Sequence, residues 1–501
     1  MSTALSGTQE PATGKHPQAS ARTTSLTILV PVYNEEHLVA TSLERLKVLE
    51  SNPDLDRIEV IVVDDCSKDG TPEVLQHFAE RTEASGGRIA WTFRRHERNQ
   101  GKGGAIRTAL ALATCELAVI HDADLEYHPK DLASIVRVFL DEDADAVFGS
   151  RFAGSAYRRV LLFRHELGNK LLTFLCNLAT NLNLTDMETC YKAVRTSLLQ
   201  SIPLVSDDFR LEPELTIKLA KREARIFEVP ISYAGRTYQE GKKINWKDGV
   251  AALWAIVRFA LSDDIYREDA PGAAVLARLR RAPRFNAWMA DVVRPYCGNR
   301  VLEIGAGIGN LTQQIIPRKR YVATDVDPLH VATLRTLRRD RPYLVAARCD
   351  VTDPGSFPRP ADFDTVICLN VIEHIQDDRQ AMANLRAALE DGGRAIVLVP
   401  YGQWNFGTLD TAVGHFRRYG RDDFRRLAEA AGFEVETVLS FNRFGTVGWL
   451  LNGRILRRRN FSLLQVKALN LLTPIFRMVD RVVPLPPLSI IGILRRAPAA
   501  P

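Results

Sequence analysis

The sequence predicts an α/β protein of two domains, each built on a largely parallel sheet. Three features predict it. Strand-like and helix-like segments alternate in two series, the first opening at "LTILVPVY" (26–33) and the second at "RVLEIGAG" (300–307). Between the series lies "SDDIYREDAPGAAVLARLRRAP" (262–283), a mixed-charge stretch holding Pro and Gly that reads as a linker. In both series, polar residues and glycines collect where strands end, which is where open α/β sheets bind ligands.

The 501 residues are 46% hydrophobic and 25% charged, enough for two cores of ordinary composition. Residues 1–24, rich in Ser, Thr, Ala, Gly and Pro, read as a disordered tail and not as a signal peptide. The first domain is expected over 25–262, the linker over 263–283 and the second domain over 284–501. Seven scattered cysteines without metal-ligand spacing read as reduced core thiols of a cytosolic protein. No run approaches the ~20 apolar residues of a membrane span. The best candidate, "VAALWAIVRFAL" (250–261), reads as a core helix.

Four strand ends of the first series carry the chemistry. They are "PVYNEE" (31–36), "IVVDDCSKDGT" (61–71), "RNQGKGGAIRTAL" (98–110) and "HDADLEY" (121–127). Asp64 and Asp65 are placed to accept hydrogen bonds from a base and a ribose. Gly101, Gly103 and Gly104 open a helix and let a ligand approach backbone, with Lys102 adding positive charge. In a strand-like continuation, Asp122, Asp124 and Glu126 point to one side. Such hard oxygen donors suit Mg²⁺ or Mn²⁺, which in turn binds a diphosphate. A lone D-x-D is common in solvated loops; the four signals in order make the case.

Together these residues resemble the family 2, GT-A-type glycosyltransferases over about residues 25–262. They look closest to the polyprenyl-phosphate sugar transferases related to dolichyl-phosphate mannose synthase. "GSRF" (149–152), "TDMETCYKAVR" (185–195) and "EVPISYAGRTYQEGKK" (228–243) carry the resemblance further. It implies transfer of a hexosyl group, with inversion, from a GDP- or UDP-sugar to a polyprenyl phosphate or other glycan acceptor. It sets Pro31, Tyr33, Glu35, Asp64, Asp65, Gly101, Lys102, Asp122, Ala123 and Asp124 against the nucleotide sugar. It gives Asp122, Asp124 and Glu126 to the metal, and Arg151, Arg236 and Lys242 to the acceptor phosphate. Asp122, Asp124, Arg151 and Asp186 are the expected catalytic residues. A hydroxyl acceptor would demand a carboxylate base, for which Asp186 or Glu188 is the candidate. A nucleotidyltransferase, the rival on a similar fold, would show glycines on the first strand–helix turn, and "PVYNEE" has none.

The second series opens with "VLEIGAGIGNLTQQI" (301–315), which sets Gly305, Gly307 and Gly309 between a strand and a helix. Glu303 precedes them, Asp325 ends the next strand at the spacing for gripping a ribose, and Asp350 ends a third. The glycine turn alone does not separate NAD from other nucleotides. With "LNVIEHI" (369–375) after the fourth strand, the set resembles a Rossmann-like class I S-adenosylmethionine (SAM)-dependent methyltransferase over 284–501. The resemblance implies that Glu303 and the glycines contact the methionine part, Asp325 the ribose and Asp350 the adenine, with Asn370 near the methyl-transfer site. His415 is a candidate general base or, equally, a structural histidine capping the next helix.

From Asn442 onward ten basic residues face the single acid Asp480, a net +9, while the rest of the chain carries −3. Residues 441–487 form an insertion between the sixth and seventh strands, expected at 433–440 and 488–495. Its apolar residues recur at three- and four-residue steps with cations between them. It reads either as a basic amphipathic element lying on an anionic membrane or as a packing or dimer element. No nucleic-acid role is expected. The whole reads as a bifunctional cytoplasmic enzyme, peripheral on the cytoplasmic membrane face. The alternatives are a soluble glycan or protein acceptor, or one domain serving only as a binding or scaffold module.

Overall fold

The protein is described from a computed structural model, over residues 22–142, 144–154, 163–235, 246–262, 265, 282–338, 341–457, 463–480 and 482–497. It divides into two compact units, the first drawn mainly from residues up to Val257 and the second mainly from Arg258 onward. The tail up to residue 21 and nearly all of the expected linker lie outside the described residues.

The first unit holds a seven-stranded sheet of β1 (Thr24–Val32), β2 (Leu55–Asp64), β3 (Ile89–Arg95), β4 (Leu117–Ile120), β5 (Ala146–Ser150), β6 (Lys192–Arg195) and β7 (Ile226–Pro230). Its order is β3-β2-β1-β4-β6-β5-β7. All neighbours run parallel except at β6, which is antiparallel to both β4 and β5. The centres of β1, β2 and β4 are apolar runs with almost no alternation, as strands covered on both faces require. β1, β2 and β4 all end on the same edge, so "PVYNEE", "DDCSKDGT" and "HDADLEY" come together there.

The second unit holds β8 (Arg300–Ile304), β9 (Arg320–Asp325), β10 (Leu344–Arg348), β11 (Phe363–Leu369), β12 (Leu389–Pro400), β13 (Phe433–Phe441) and β14 (Ser489–Arg496). The order is β10-β9-β8-β11-β12-β14-β13, with β14 alone antiparallel. The strand order reverses between β8 and β11, and the glycine loop after β8 sits at that switch point.

Three expectations need correction. The D-x-D segment is not a strand continuation. β4 stops at Ile120, residues 121–126 turn, and Leu125 adopts φ 64°. The segment is then pinned by a bridge between Tyr127 and Tyr233. The helix Trp246–Leu261 is core on one side only. Ala252, Ala255, Ile256 and Phe259 are buried, while Val250, Leu253, Trp254, Val257 and Leu261 are exposed. The insertion is a packing element on one side and leaves an apolar face open on the other. Its helix Leu463–Val479 packs Val466, Leu469 and Phe476 on the domain core, yet exposes Leu471, Leu472, Ile475 and Met478.

A third solvent-facing apolar stripe was not anticipated. On the helix Phe163–Thr180, Phe163, Leu167, Leu171, Phe174 and Leu178 are all more than half exposed, at steps of three and four. All seven cysteines are free thiols, five of them buried. No helix among the described residues is long and apolar enough to cross a membrane.

Candidate active sites

At the first site, the loops after β1 and β2 are knitted together. Asn34 N–H donates to Ser67 Oγ (3.0 Å), Glu35 N–H to Thr71 Oγ1 (2.9 Å), and Lys68 N–H to Asn34 Oδ1 (2.9 Å). Tyr33 is exposed at this edge and Pro31 is half-buried. Asp64 and Asp65 are both buried and already have protein partners. Asp64 accepts from Ser67 N–H and pairs with Arg95 (3.1 Å). Asp65 accepts from Gln100 N–H (2.8 Å) and Gly101 N–H (2.7 Å), and its Oδ1 lies 2.7 Å from His96 Nδ1. It thereby clamps the start of the helix Gly101–Leu112, a role the sequence reading did not give it.

The glycines of that turn answer to the chain itself. A Cβ on Gly101 (φ 76°) would overlap the Asp207 carbonyl, and one on Gly103 the Ser206 carbonyl. Gly103 N–H donates to Asp207 O (2.9 Å). The close approach that demands glycine is therefore backbone on backbone.

Lys102 leads from this turn to the D-x-D segment. Its ammonium lies 3.0 Å from Asp122 and 3.3 Å from Glu212, and Glu212 in turn pairs with the fully buried Lys192 at 2.7 Å. Burial works against the charge on Lys102, but Asp122, Cys190 and Glu212 outweigh it and raise its pKa well above the ordinary value. Burial likewise opposes ionisation of Asp122, and Lys102 overcomes it, lowering the carboxyl's pKa. Asp124 accepts from Glu126 N–H (3.1 Å), and Glu126 accepts from the Tyr233 hydroxyl (2.8 Å). Ala123 is buried beside them. His121 is a core residue between Ser42 and Tyr191, and burial drops its pKa to about 4.

Beyond β5, Arg151 grips Asp186 with two parallel bonds of 2.7 Å and stacks over the Tyr233 ring at 5.1 Å. Asp186 is completely buried. Near it Glu188 has an oxygen without a hydrogen-bond partner, and burial raises its pKa to about 7, Lys192 only partly opposing. Arg236 and Lys242 lie outside the described residues.

At the second site, Gly305, Gly307 and Gly309 have φ of 70°, 56° and 82°, a backbone that only glycine adopts freely. Gly307 N–H donates to Asp325 Oδ2 (2.8 Å), and Asp325 Oδ1 accepts from Asp327 N–H (3.0 Å) and stands 3.2 Å from His330 Nδ1. Burial opposes the Asp325 charge, but these partners, His330 first, lower its pKa. Glu303 turns one oxygen into the core, where it accepts from Thr312 Oγ1 (2.6 Å) and Tyr321 O–H (2.8 Å). Burial raises its pKa to about 7. Asp350 accepts from Thr352 at the end of β10, and Asn370 follows β11 with φ 55°. His415 does not cap a following helix; it stands after Gly414, which ends the helix Thr408–Val413. Its Nδ1 lies 2.8 Å from Asp410, and Arg418, paired with the same carboxylate (2.7 Å), is buried. Arg417 is held by Asp378 and the Gln376 carbonyl.

Sheet order and strand-edge residues define two α/β domains in tandem, and comparison with known proteins identifies them. Residues 27–202 match the family model for glycosyl transferase family 2, and residues 302–395 match a methyltransferase domain model. The chain is thus a two-domain transferase, a family 2 glycosyltransferase domain followed by a methyltransferase domain. It is similar to a UDP-N-acetylglucosamine–dolichyl-phosphate N-acetylglucosaminyltransferase of Methanococcus voltae, at 28% identity over 46% of this chain and 94% of the relative. A dodecaprenyl-phosphate galacturonate synthase of Rhizobium johnstonii is 27% identical over 43% of this chain and 61% of its own. Among solved structures, glucosyl-3-phosphoglycerate synthase from Mycobacterium tuberculosis, with Mn²⁺, UDP and phosphoglyceric acid, aligns at 17% identity and TM-score 0.36. That alignment covers 48% of this chain and 79% of that one.

Proposed function

We propose that the first domain moves a hexosyl group from a GDP- or UDP-sugar to a polyprenyl phosphate, and that the second moves a methyl group from SAM to a glycan or lipid-linked acceptor. The observation that carries the first half is the charge chain Asp122–Lys102–Glu212–Lys192 at the end of β4. It delivers a half-buried cation and a carboxylate to one point, beside Asp124. The relatives named for polyprenyl and dolichyl phosphates support the acceptor class.

Asp122 and Asp124, with Glu126 behind them, are hard oxygen donors at a strand end and fit Mg²⁺ or Mn²⁺. Such an ion supplies neutralising charge for the departing nucleoside diphosphate. Lys102 adds to that charge from the protein side. A phosphate acceptor, with a second pKa near ~6, is already largely ionised at pH 7 and needs no strong base. It needs cations, and Arg151, Arg236 and Lys242 are assigned that task. In Arg151 the guanidinium shares itself between Asp186 and any incoming phosphate, so Asp186 acts as its positioning partner. For a hydroxyl acceptor on a soluble glycan or protein, Glu188 is the better base: Asp186 is locked to Arg151, whereas Glu188 sits near pH 7.

In the second domain, the loop of Gly305, Gly307 and Gly309 with Asp325, Asp350 and Asn370 fits SAM, whose sulfonium makes its methyl group electrophilic. Glu303 supports that loop from beneath through Thr312. Removal of the acceptor's hydroxyl proton falls to the group around His415.

The exposed stripes of the helices Phe163–Thr180 and Trp246–Leu261, with the basic insertion, support peripheral attachment to an anionic membrane on its cytoplasmic face. The test uses the full chain with labelled nucleotide sugars, a polyprenyl phosphate and SAM, followed by mass spectrometry of the lipid fraction. A glycosylated lipid, with added methyl mass in the presence of SAM, is expected. No transfer to lipid from any donor would sink the first half, and methylation of neither lipid nor glycan the second.

A further inference from the structure

We propose that Glu373, His374 and His415 form a binding site for a divalent transition-metal cation of the zinc or cobalt type. One ligand atom from each side chain lies within 4.8 Å of the other two. Glu373 and His374 stand on the turn Ile372–His374 after β11, and His415 follows Gly414; Phe416 N–H donates to Glu373 O (2.8 Å) and holds the two segments together.

Both imidazoles are set to offer a lone pair. His415 Nδ1 faces the Asp410 carboxylate at 2.8 Å, and Asp410 is itself held by Arg418 (2.7 Å) and the Trp449 indole N–H (2.9 Å). The proton therefore sits on Nδ1, and Nε2 points its lone pair toward Glu373 Oε1, 3.8 Å away. His374 Nδ1 faces the Gly414 carbonyl (3.3 Å), which can only accept, so its Nε2 also carries a lone pair. A carboxylate behind a ligating imidazole is the arrangement that orients histidines on metals.

The independent observation is Glu373 itself. It is fully buried, and neither of its carboxylate oxygens has a hydrogen-bond partner. Burial raises the Glu373 carboxyl's pKa to about 8, and a carboxyl buried without a hydrogen-bond partner beside the His415 ring is an unfavourable arrangement that one cation would resolve. Two imidazoles and a carboxylate match the donor set of open zinc sites, which keep a position for an exchangeable oxygen ligand. The oxygen-rich Asp122–Glu126 segment has no imidazole and suits a different class of ion. This inference deepens the methyltransferase reading: a cation here would acidify the acceptor hydroxyl in place of His415.

The test is a Co²⁺ titration of the full chain, followed by the visible absorption that nitrogen-containing, four-coordinate cobalt shows strongly and all-oxygen six-coordinate cobalt weakly. The wild-type chain should take one such Co²⁺, displaced by Zn²⁺. Glu373→Gln, which keeps the side chain's shape, and His415→Ala should each weaken it by about tenfold or more. Asp124→Asn should leave the bands unchanged. A wild-type chain without these bands overturns the proposal, as do variants that still bind SAM and titrate like wild type. SAM binding measured in parallel keeps this outcome separate from failure of the methyltransferase reading.

Discussion

The Lys102 ammonium sits between two carboxylates, 3.0 Å from Asp122 and 3.3 Å from Glu212, and so competes with any metal ion for Asp122. Replacing it with Met removes that competitor. Lys102→Met should therefore bind Mn²⁺ about tenfold more tightly while sugar transfer falls by roughly a hundredfold, because Lys102 no longer steadies the diphosphate. Mn²⁺ binding by electron paramagnetic resonance and transfer rates measured at saturating metal check the two halves separately. Equal metal affinity in the variant would show that Asp122 is not a ligand.

Asp65 is the clamp between His96 and the start of the glycine-opened helix. Asp65→Ala removes the acceptor of the Gln100 N–H, the nearer acceptor of the Gly101 N–H and one of the two partners of the buried His96 imidazole. The expected cost is about 3 kcal/mol of first-domain stability, read by urea unfolding. A residue that only accepted a hydrogen bond from a bound ribose would leave stability in the absence of nucleotide unchanged.

These two cases mark what was legible in the sequence. The alternation of strands and helices, the strand-end residues and the glycine turns follow from local pattern, because period and turn chemistry act over a few residues. Lys102 meeting Glu212, or Arg151 meeting Asp186, joins residues 110 and 35 positions apart, and no spacing rule reaches that far. The reason for Gly101 was misread likewise, since the backbone that crowds it belongs to Asp207. Residues 250–261 read as a core helix, but which of its sides meets the core depends on tertiary placement. The histidine and glutamate of "VIEHI" were visible as a motif; their approach to His415 was not.

Glu303 makes a pH prediction. Burial holds its carboxyl at about 7, above the 4.5 of an exposed glutamate, although Thr312 and Tyr321 donate to it and pull the other way. A raised pKa means that its contribution to stability is fully present below about pH 4.5 and is lost as pH climbs through 7. Above that, ionised Glu303 costs on the order of 3 kcal/mol. Glu303→Gln escapes this cost. Its thermal midpoint should match wild type near pH 4.5 and exceed it near pH 9. Parallel curves across that range would mean that Glu303 is ionised in the fold.

The stripe on the helix Phe163–Thr180 makes a prediction about location. Phe174 and Leu178 are 61% and 75% exposed, so changing both to Ser should alter folding stability by less than about 1 kcal/mol. On a membrane the same side chains would leave water, each worth about 1.5–3 kcal/mol when fully buried. Even half of that for the pair predicts at least about a tenfold loss of affinity for vesicles containing anionic lipid, read by co-sedimentation. Binding that is unchanged in this variant but abolished by high salt would move the contact to the basic insertion, where charge dominates. Unchanged binding together with a fall in the chain's mass in solution would instead make the stripe a surface between two copies.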